Sequence, residues 1–356
     1  MRLSQLIGGI ETLALAGESD GEVTDVCYDS RLCGRGSLFV AIAGLKADGH
    51  AFITDALGRG ARFIVHEGKY DPPAGVTAIR VRDSRRALGF LGKNLFGDPS
   101  ASLCLIAVVG TNGKTTVTYL LESILGAAGG RVGVLGTVNY RYDGKVFPAP
   151  NTTPESFELQ RILREMADAG MTHCVAEVSS HAIDLGRVDD CAFDLGIFTN
   201  LTQDHLDYHK TMENYFRAKQ RFFAEVLPAG GKALRAMVIN ADDPWGRRIL
   251  EEVGGSRVTY GLETPCDITA TAFRLSRDGI AATLRLGSET LEILCPLMGR
   301  FNLYNLLAAA AAAMALGVPA GAIGSGIAAL AQVPGRMERV SAAGEPAAFV
   351  DYAHTD

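Results

Sequence analysis

The segment Gly110-Thr-Asn-Gly-Lys-Thr-Thr116 holds the clearest chemical signal in this sequence. Glycines let main-chain N–H groups curl around phosphate oxygens, and a following helix N-terminus adds partial positive charge. Lys114 is spaced to reach β- and γ-phosphates, and the Thr115 hydroxyl to hold Mg²⁺. The longer phosphate-loop pattern has a glycine where Val108 stands, so this is a shortened variant. A bare strand-to-helix turn is the competing reading, but a lysine and two threonines follow the second glycine in the order a phosphate requires.

Further candidates follow downstream. Glu177 in Ala-Glu-Val-Ser-Ser-His181 and His205 in Asn200-Leu-Thr-Gln-Asp-His-Leu-Asp-Tyr-His209 offer a carboxylate and an imidazole suited to a divalent cation. A salt-bridged glutamate and a structural histidine fit the same residues. Asp204, Asp207 and His209 are the weaker choices in the second motif. Asn151-Thr-Thr-Pro154 either caps the helix after it or grips an anionic substrate at that helix's N-terminus. Arg187 suits a carboxylate or phosphate, or simply solvent. Lys219, in Phe216-Arg-Ala-Lys-Gln-Arg-Phe-Phe223, reads by itself as an exposed charge on an amphipathic helix.

The elements that must position these groups follow from hydrophobic periodicity. Residues 1–98 predict a small mixed α/β domain with strands over 37–43, 61–66 and 76–81 and a helix over 84–96, closed by Gly97-Asp98-Pro99. From 102 onward apolar strands (103–109, 131–137, 173–178, 194–199, 236–240) alternate with helices, including ones from Pro154 and over 213–226. That alternation predicts a parallel-sheet α/β domain, with the candidate groups at the strands' C-terminal ends. Residues 267–297 break the pattern as a short antiparallel appendage, and 302–316 is strongly helical. The expected domains are 1–98, 99–337, and a third that only begins at 338–356.

Composition narrows the class. With 47% hydrophobic and 21% charged residues, the chain is globular rather than disordered. Its 34 basic and 40 acidic residues, net −6, argue against a general nucleic-acid or anionic-membrane binder. The apolar run Leu306–Leu316 falls short of the ~20 residues that span a bilayer. Seven scattered cysteines, never spaced CxxC, show neither a disulfide framework nor a zinc site. The expectation is a monomeric cytoplasmic protein without nucleic-acid partner or membrane insertion.

Taken together, Gly110–Thr116, Asn151–Pro154, Glu177–His181 with Arg187, Asp204–His209 and Ala218-Lys219 resemble the motifs of the Mur ligases. So do Met298-Gly-Arg-Phe-Asn302 with Asn305, Pro334-Gly-Arg-Met-Glu338 and Asp351-Tyr-Ala-His354. Tyr28-Asp-Ser-Arg31 and Ala47-Asp-Gly49 make the MurE type, the muramoyl-tripeptide synthetases, the nearest match, over essentially the whole chain. The resemblance implies a small N-terminal domain, a P-loop-type central ATPase domain, and a third, Rossmann-like domain that this chain lacks, leaving it unable to ligate.

The reaction implied is ATP-dependent addition of meso-diaminopimelate or L-lysine to UDP-MurNAc-L-Ala-D-Glu, for peptidoglycan, through an acyl phosphate. By that resemblance Gly110, Thr111, Asn112, Gly113, Lys114, Thr115, Thr116, Asn302, Asn305, Arg336 and Asp351 meet ATP. Tyr28, Ser30, Leu45, Lys46 and Ala47 contact the UDP portion, and Asn151, Thr152, Thr153, Ser179 and Arg187 the muramoyl dipeptide. Thr115, Glu177, His205 and Lys219 surround two Mg²⁺, with Lys219 carrying a CO₂-derived carbamate; Lys114, Glu177, His205 and Lys219 are thereby the catalytic set. Leu185 departs from the pattern, where some members place Gln, and no proline precedes Asp356. The phosphate loop alone also fits folylpolyglutamate synthases, and a non-catalytic nucleotide-binding module is the remaining alternative.

Overall fold

The computed structural model describes residues 1–44, 47–233, 236–341 and 346–352, which form two compact units. Leu45 and Lys46 lie outside the described residues, as do the last four positions of the chain. The first unit comprises Met1–Pro99 with Glu155–Arg164 and Leu185–Cys191. Its sheet contains β1 (Thr12–Ala16), β2 (Val26–Cys27), β3 (Leu38–Val40), β4 (Phe63–His66) and β5 (Thr77–Val81), in the order β1-β5-β4-β3-β2. β2 to β5 pair in parallel, and β1 runs antiparallel along the edge. β4 is buried at every position, as its run of Phe-Ile-Val requires, whereas β1 is exposed throughout.

Helix Ser84–Phe96 begins where the Asp83 carboxylate accepts the N–H groups of Arg85 and Arg86, and ends at Gly97 in the left-handed conformation. It buries Ala87, Leu88 and Leu91 against Leu3, Leu6, Val65 and Ile79. The limits expected from sequence, Ser84 to Phe96, are those observed.

The second unit is built on a sheet whose central strands are all parallel: β6 (Cys104–Val109), β7 (Val132–Leu135), β10 (His173–Glu177), β11 (Leu195–Phe198), β12 (Ala236–Asn240) and β13 (Arg257–Tyr260). A hairpin of β8 (Tyr140–Tyr142) and β9 (Lys145–Phe147) extends it beyond β7. At the opposite end β14 (Ile268–Ser276), β15 (Gly279–Leu286) and β16 (Glu289–Cys295) form the expected antiparallel appendage, continuous with the main sheet. The order β13-β12-β11-β6-β10-β7 places β6 at a switch point: the chain leaves it to one side for β7 and β10, then returns on its other side as β11. Open α/β sheets bind ligands in the crevice such a reversal leaves at the strands' C-terminal ends.

Helix Arg300–Ala315 has no polar face, and Leu303 and Leu306 to Ala313 are fully buried. It packs on helix Lys114–Ala127 and on β12 to β15, which is why so apolar a helix sits in a globular core. No helix among the described residues is long and apolar enough to cross a membrane. Near the end of the chain β17 (Glu338–Arg339) pairs with β18 (Phe349–Val350).

Candidate active site

β6 delivers Gly110–Thr116 to the crevice, and helix Lys114–Ala127 starts from it with Gly113 at φ +86°. A Cβ on Gly113 would lie 2.3 Å from Asn305 Oδ1, so both the backbone angle and the space require glycine there. The loop is laced to the segment after β11. Asn112 N–H donates to Asn200 Oδ1 (2.9 Å), Thr199 Oγ1 donates to the Asn112 carbonyl (2.7 Å), and Thr111 N–H donates to the Asn200 carbonyl (2.9 Å).

Two ammonium groups converge on this loop. Lys114 Nζ donates to the carbonyls of Gly110 and Thr111 at 2.8 Å, and Lys219 Nζ donates to the same Gly110 carbonyl at 2.9 Å. Lys219 is 1% exposed, so the solvated charge suggested by its helix is instead a buried one; helix Met212–Arg221 turns Lys219 inward between Tyr215 and the loop. Burial, and then repulsion from Lys114, hold the Lys219 amine well below the ordinary lysine range. Burial also lowers Lys114, opposed by Glu177 and Asp204.

Glu177 ends β10, in register with Val108, and is 1% exposed. Its Oε1 accepts Thr137 N–H (3.0 Å) and its Oε2 accepts Thr137 Oγ1–H (2.9 Å). A Cβ on Gly136 would approach Oε1 to 2.4 Å, so the turn after β7 is cut to fit the carboxylate. Thr153 Oγ1 donates to the Glu177 carbonyl (2.8 Å) and accepts Ser179 N–H (3.1 Å), which ties Asn151–Thr153 to the β10 end.

His205 sits at φ +53°, 3.4 Å from Asp204 Oδ2, with its ring edge-on to His181 at 4.8 Å. Burial lowers its pKa, and Lys219 and Lys114 add to that shift, so the imidazole is neutral near pH 7. His209 turns inward, 2.9 Å from Ser180 Oγ.

Beside the loop lies a cavity of about 590 Å³, lined by Asn112, Gly113, Thr116, Asn305, Arg336 and Asp351 among the expected residues. Asn302 stands behind it, accepting from Asn305 Nδ2 at 3.0 Å. Arg336 Nη2 reaches Thr115 Oγ1 at 3.4 Å, and its buried Nε has no partner among the described residues. Asp351 Oδ2 accepts Met337 N–H. Asn240, Asp242, Phe301 and Tyr304 also line the cavity and were missed by sequence reasoning. Asp242 accepts the N–H groups of Leu262 and Thr264 and the Tyr304 hydroxyl, so it shapes the rim.

The remaining expected residues divide between the units. Tyr28, Ser30, Ala47 and Arg187 belong to the first, Asn151, Thr152, Thr153 and Ser179 to the second. Arg187 lies 3.4 Å from Glu155, which Arg85 also engages at 2.8 Å. Burial, with Glu158 and Glu155 nearby, pushes the Tyr28 phenol up to about 12. Ser30 Oγ donates to Asp55 Oδ2 at 2.7 Å.

The donor chemistry suits Mg²⁺ at two places: the Thr115 hydroxyl and the Glu177 carboxylate are hard oxygens beside a phosphate loop. An ammonium at Lys219 does not suit it, whereas a carbamate does. Among the described residues no three His, Cys, Asp or Glu side chains cluster as a ready-made metal site.

Residues 108–313 match the family description Mur ligase middle domain, and residues 22–94 match Mur ligase family, catalytic domain. The chain is 45% identical over all 356 residues to the UDP-N-acetylmuramoyl-L-alanyl-D-glutamate–2,6-diaminopimelate ligase of Geobacter sulfurreducens, covering 100% of this chain and 70% of that one. The protein of the same name from Geobacter metallireducens is also 45% identical, with the same coverage. A solved structure of a UDP-N-acetylmuramoyl-L-alanyl-D-glutamate–2,6-diaminopimelate ligase superposes with a TM-score of 0.83 at 28% identity, covering 96% of this chain and 69% of the other.

Proposed function

The chain belongs to the Mur ligase family, and from that membership we propose that it serves the ATP-dependent joining of 2,6-diaminopimelate to UDP-MurNAc-L-Ala-D-Glu. The observation that carries this reading is the convergence of Lys114 and Lys219 on the Gly110 carbonyl, beside Glu177 and a nucleotide-sized cavity. The buried Lys114 ammonium, satisfied only by main-chain oxygens, is poised for an anion of high charge, and a triphosphate supplies one.

The glutamyl γ-carboxylate attacks the γ-phosphorus of ATP, forming an acyl phosphate and releasing ADP. The amine of the third amino acid then forms the amide and displaces phosphate. Lys114 and the loop N–H groups stabilise the charge on the transferring phosphoryl group. Arg336, which lines the cavity and reaches Thr115, adds a second cation beside the loop. Thr115 and Glu177 would hold Mg²⁺, which would supply neutralisation of phosphate charge. His205, neutral near pH 7, is free to join as a nitrogen ligand. The Lys219 amine, unprotonated at a pH where ordinary lysines are charged, adds CO₂ and releases a proton to water; the carbamate so formed is an anionic oxygen ligand.

Tyr28, Ser30 and Ala47 are assigned to the UDP portion of the substrate, together with Leu45 and Lys46, and Asn151, Thr152, Thr153, Ser179 and Arg187 to its muramoyl dipeptide. Asn305 and Asp351 face the nucleotide, with Asn302 holding Asn305 from behind rather than meeting the adenine itself. Titration calorimetry tests the assignment. The full-length protein binds UDP-MurNAc-L-Ala-D-Glu and ATP and shows no heat with a pteridine. Pteridine binding without uridine-nucleotide binding identifies a folate-type ligase instead, and nucleotide binding without turnover identifies a non-catalytic module.

A further inference from the structure

The hydroxyl hydrogen bonds around Glu177 fix which groups Thr152 can recognise. Thr137 Oγ1 lies 2.9 Å from Glu177 Oε2 and 3.1 Å from Thr152 Oγ1. A hydroxyl has one proton, and an ionised carboxylate only accepts. Were the Thr137 proton aimed at Thr152, a hydroxyl lone pair would face an anionic oxygen at 2.9 Å. The proton therefore goes to Glu177, and the Thr152 proton must go to Thr137.

Thr153 is committed as well: it donates to the Glu177 carbonyl and accepts from Ser179 N–H, and it is 2% exposed. Both threonine protons of Asn151-Thr-Thr-Pro154 thus point into the protein. Thr152, half-buried, offers outward only lone pairs. A carboxylate or phosphate placed there would meet acceptor against acceptor, whereas an amide N–H would be matched. Of the two readings the sequence left open, a helix cap or a grip on an anion, the second then falls to groups other than these hydroxyls.

We propose that Thr137 is a positioning residue that fixes the polarity of Thr152, and that Thr152 accepts the glutamyl amide N–H of the bound dipeptide. The inference rests on the function proposed above. In that reaction the glutamyl γ-carboxylate meets the phosphate beside Glu177 and Lys114, and the glutamyl N–H is the amide nearest that carboxylate in the substrate. The glutamate carboxyl groups must then find their donors elsewhere than on the two threonine hydroxyls.

The test compares UDP-MurNAc-L-Ala-D-Glu with its depsipeptide analogue, in which an ester oxygen replaces the glutamyl N–H, in steady-state assays of the full-length protein. The wild type shows a KM for the ester about tenfold or more higher, the cost of one lost hydrogen bond plus a lone-pair clash. In Thr137→Val the Thr152 proton is released to turn outward, and the ratio of the two KM values shrinks to about threefold or less. Thr137→Ser restores the wild-type ratio. Thr152→Val, which has no acceptor, gives a ratio near one and serves if Thr137→Val does not fold. Equal KM values in the wild type, or a Thr137→Val ratio matching the wild type, overturns the proposal. A wild type that does not turn over the natural dipeptide overturns the function reading instead.

Discussion

Guanidinium–carboxylate pairs occur in both units, but the two lysines at the phosphate loop are held differently. In the first, guanidinium groups meet carboxylates: Arg85 and Arg187 share Glu155, Arg86 meets Asp189, and Arg31 meets Asp29. In the second, Lys114 and Lys219 have only main-chain carbonyls as polar partners, with no carboxylate within ion-pair distance among the described residues. A paired arginine defines a shape and a polarity that a ligand must match. An ammonium held by a neutral carbonyl keeps most of its attraction for an incoming anion. On the function proposed above, the Arg187 pairing serves recognition and the loop lysines serve chemistry, so substitutions of Arg187 and Lys219 should fail in different kinetic constants.

The largest effect is expected at Lys219. Lys219→Ala removes the proposed carbamate site, and kcat at saturating substrates is expected to fall about 10³-fold, as for the loss of a preorganised group acting on transition-state charge. Bicarbonate restores activity to CO₂-stripped wild type and not to the variant. A variant within tenfold of wild type would discredit the carbamate.

Arg187→Ala acts on binding instead. KM for the uridine-linked dipeptide rises about tenfold while kcat changes less than about threefold. A fall in kcat with unchanged KM would erase the contrast between the units.

The smallest expected effect on activity is that of Asp190→Asn, which reads stability. Burial, with Asp189 beside it, pushes the Asp190 carboxyl up to about 7. The folded unit therefore keeps a proton that the unfolded chain has released above its ordinary value near 3.8. Stability contributed by the protonated form is full below that value, declines as pH climbs toward 7, and levels off above it. Asparagine removes the decline and raises stability at pH 8 by up to about 4 kcal/mol, at ~1.4 kcal/mol per pKa unit. Denaturant midpoints from pH 4 to 8 measure this, and parallel profiles for the two proteins would refute it.

What the sequence revealed was whatever is local. Gly110–Thr116 is readable because a strand, a glycine turn and a helix start are contiguous, and helix Ser84–Phe96 because Asp83 and Gly97 mark its ends. Lys219 was misread from its own helix, since the spacing of Phe216, Phe222 and Phe223 shows that a core exists but not that Tyr215 and the Gly110 carbonyl close over the lysine as well. Thr137 left no signal, because its role arises from Glu177, forty residues further on. Asp242 was equally silent: its partners lie at Leu262, Thr264 and Tyr304. The hairpin of β8 and β9 escaped because two three-residue strands show too little alternation to detect.

The helix Arg300–Ala315 has one more consequence. From Ala308 to Ala313 its residues have no side-chain torsion to lose. The wall it carries, with Asn305 against Gly113, therefore has little side-chain entropy to lose. Arg336, which also lines the cavity, brings a long side chain whose buried Nε has no hydrogen-bond partner among the described residues, so any ordering cost at this cavity falls on it rather than on the helix.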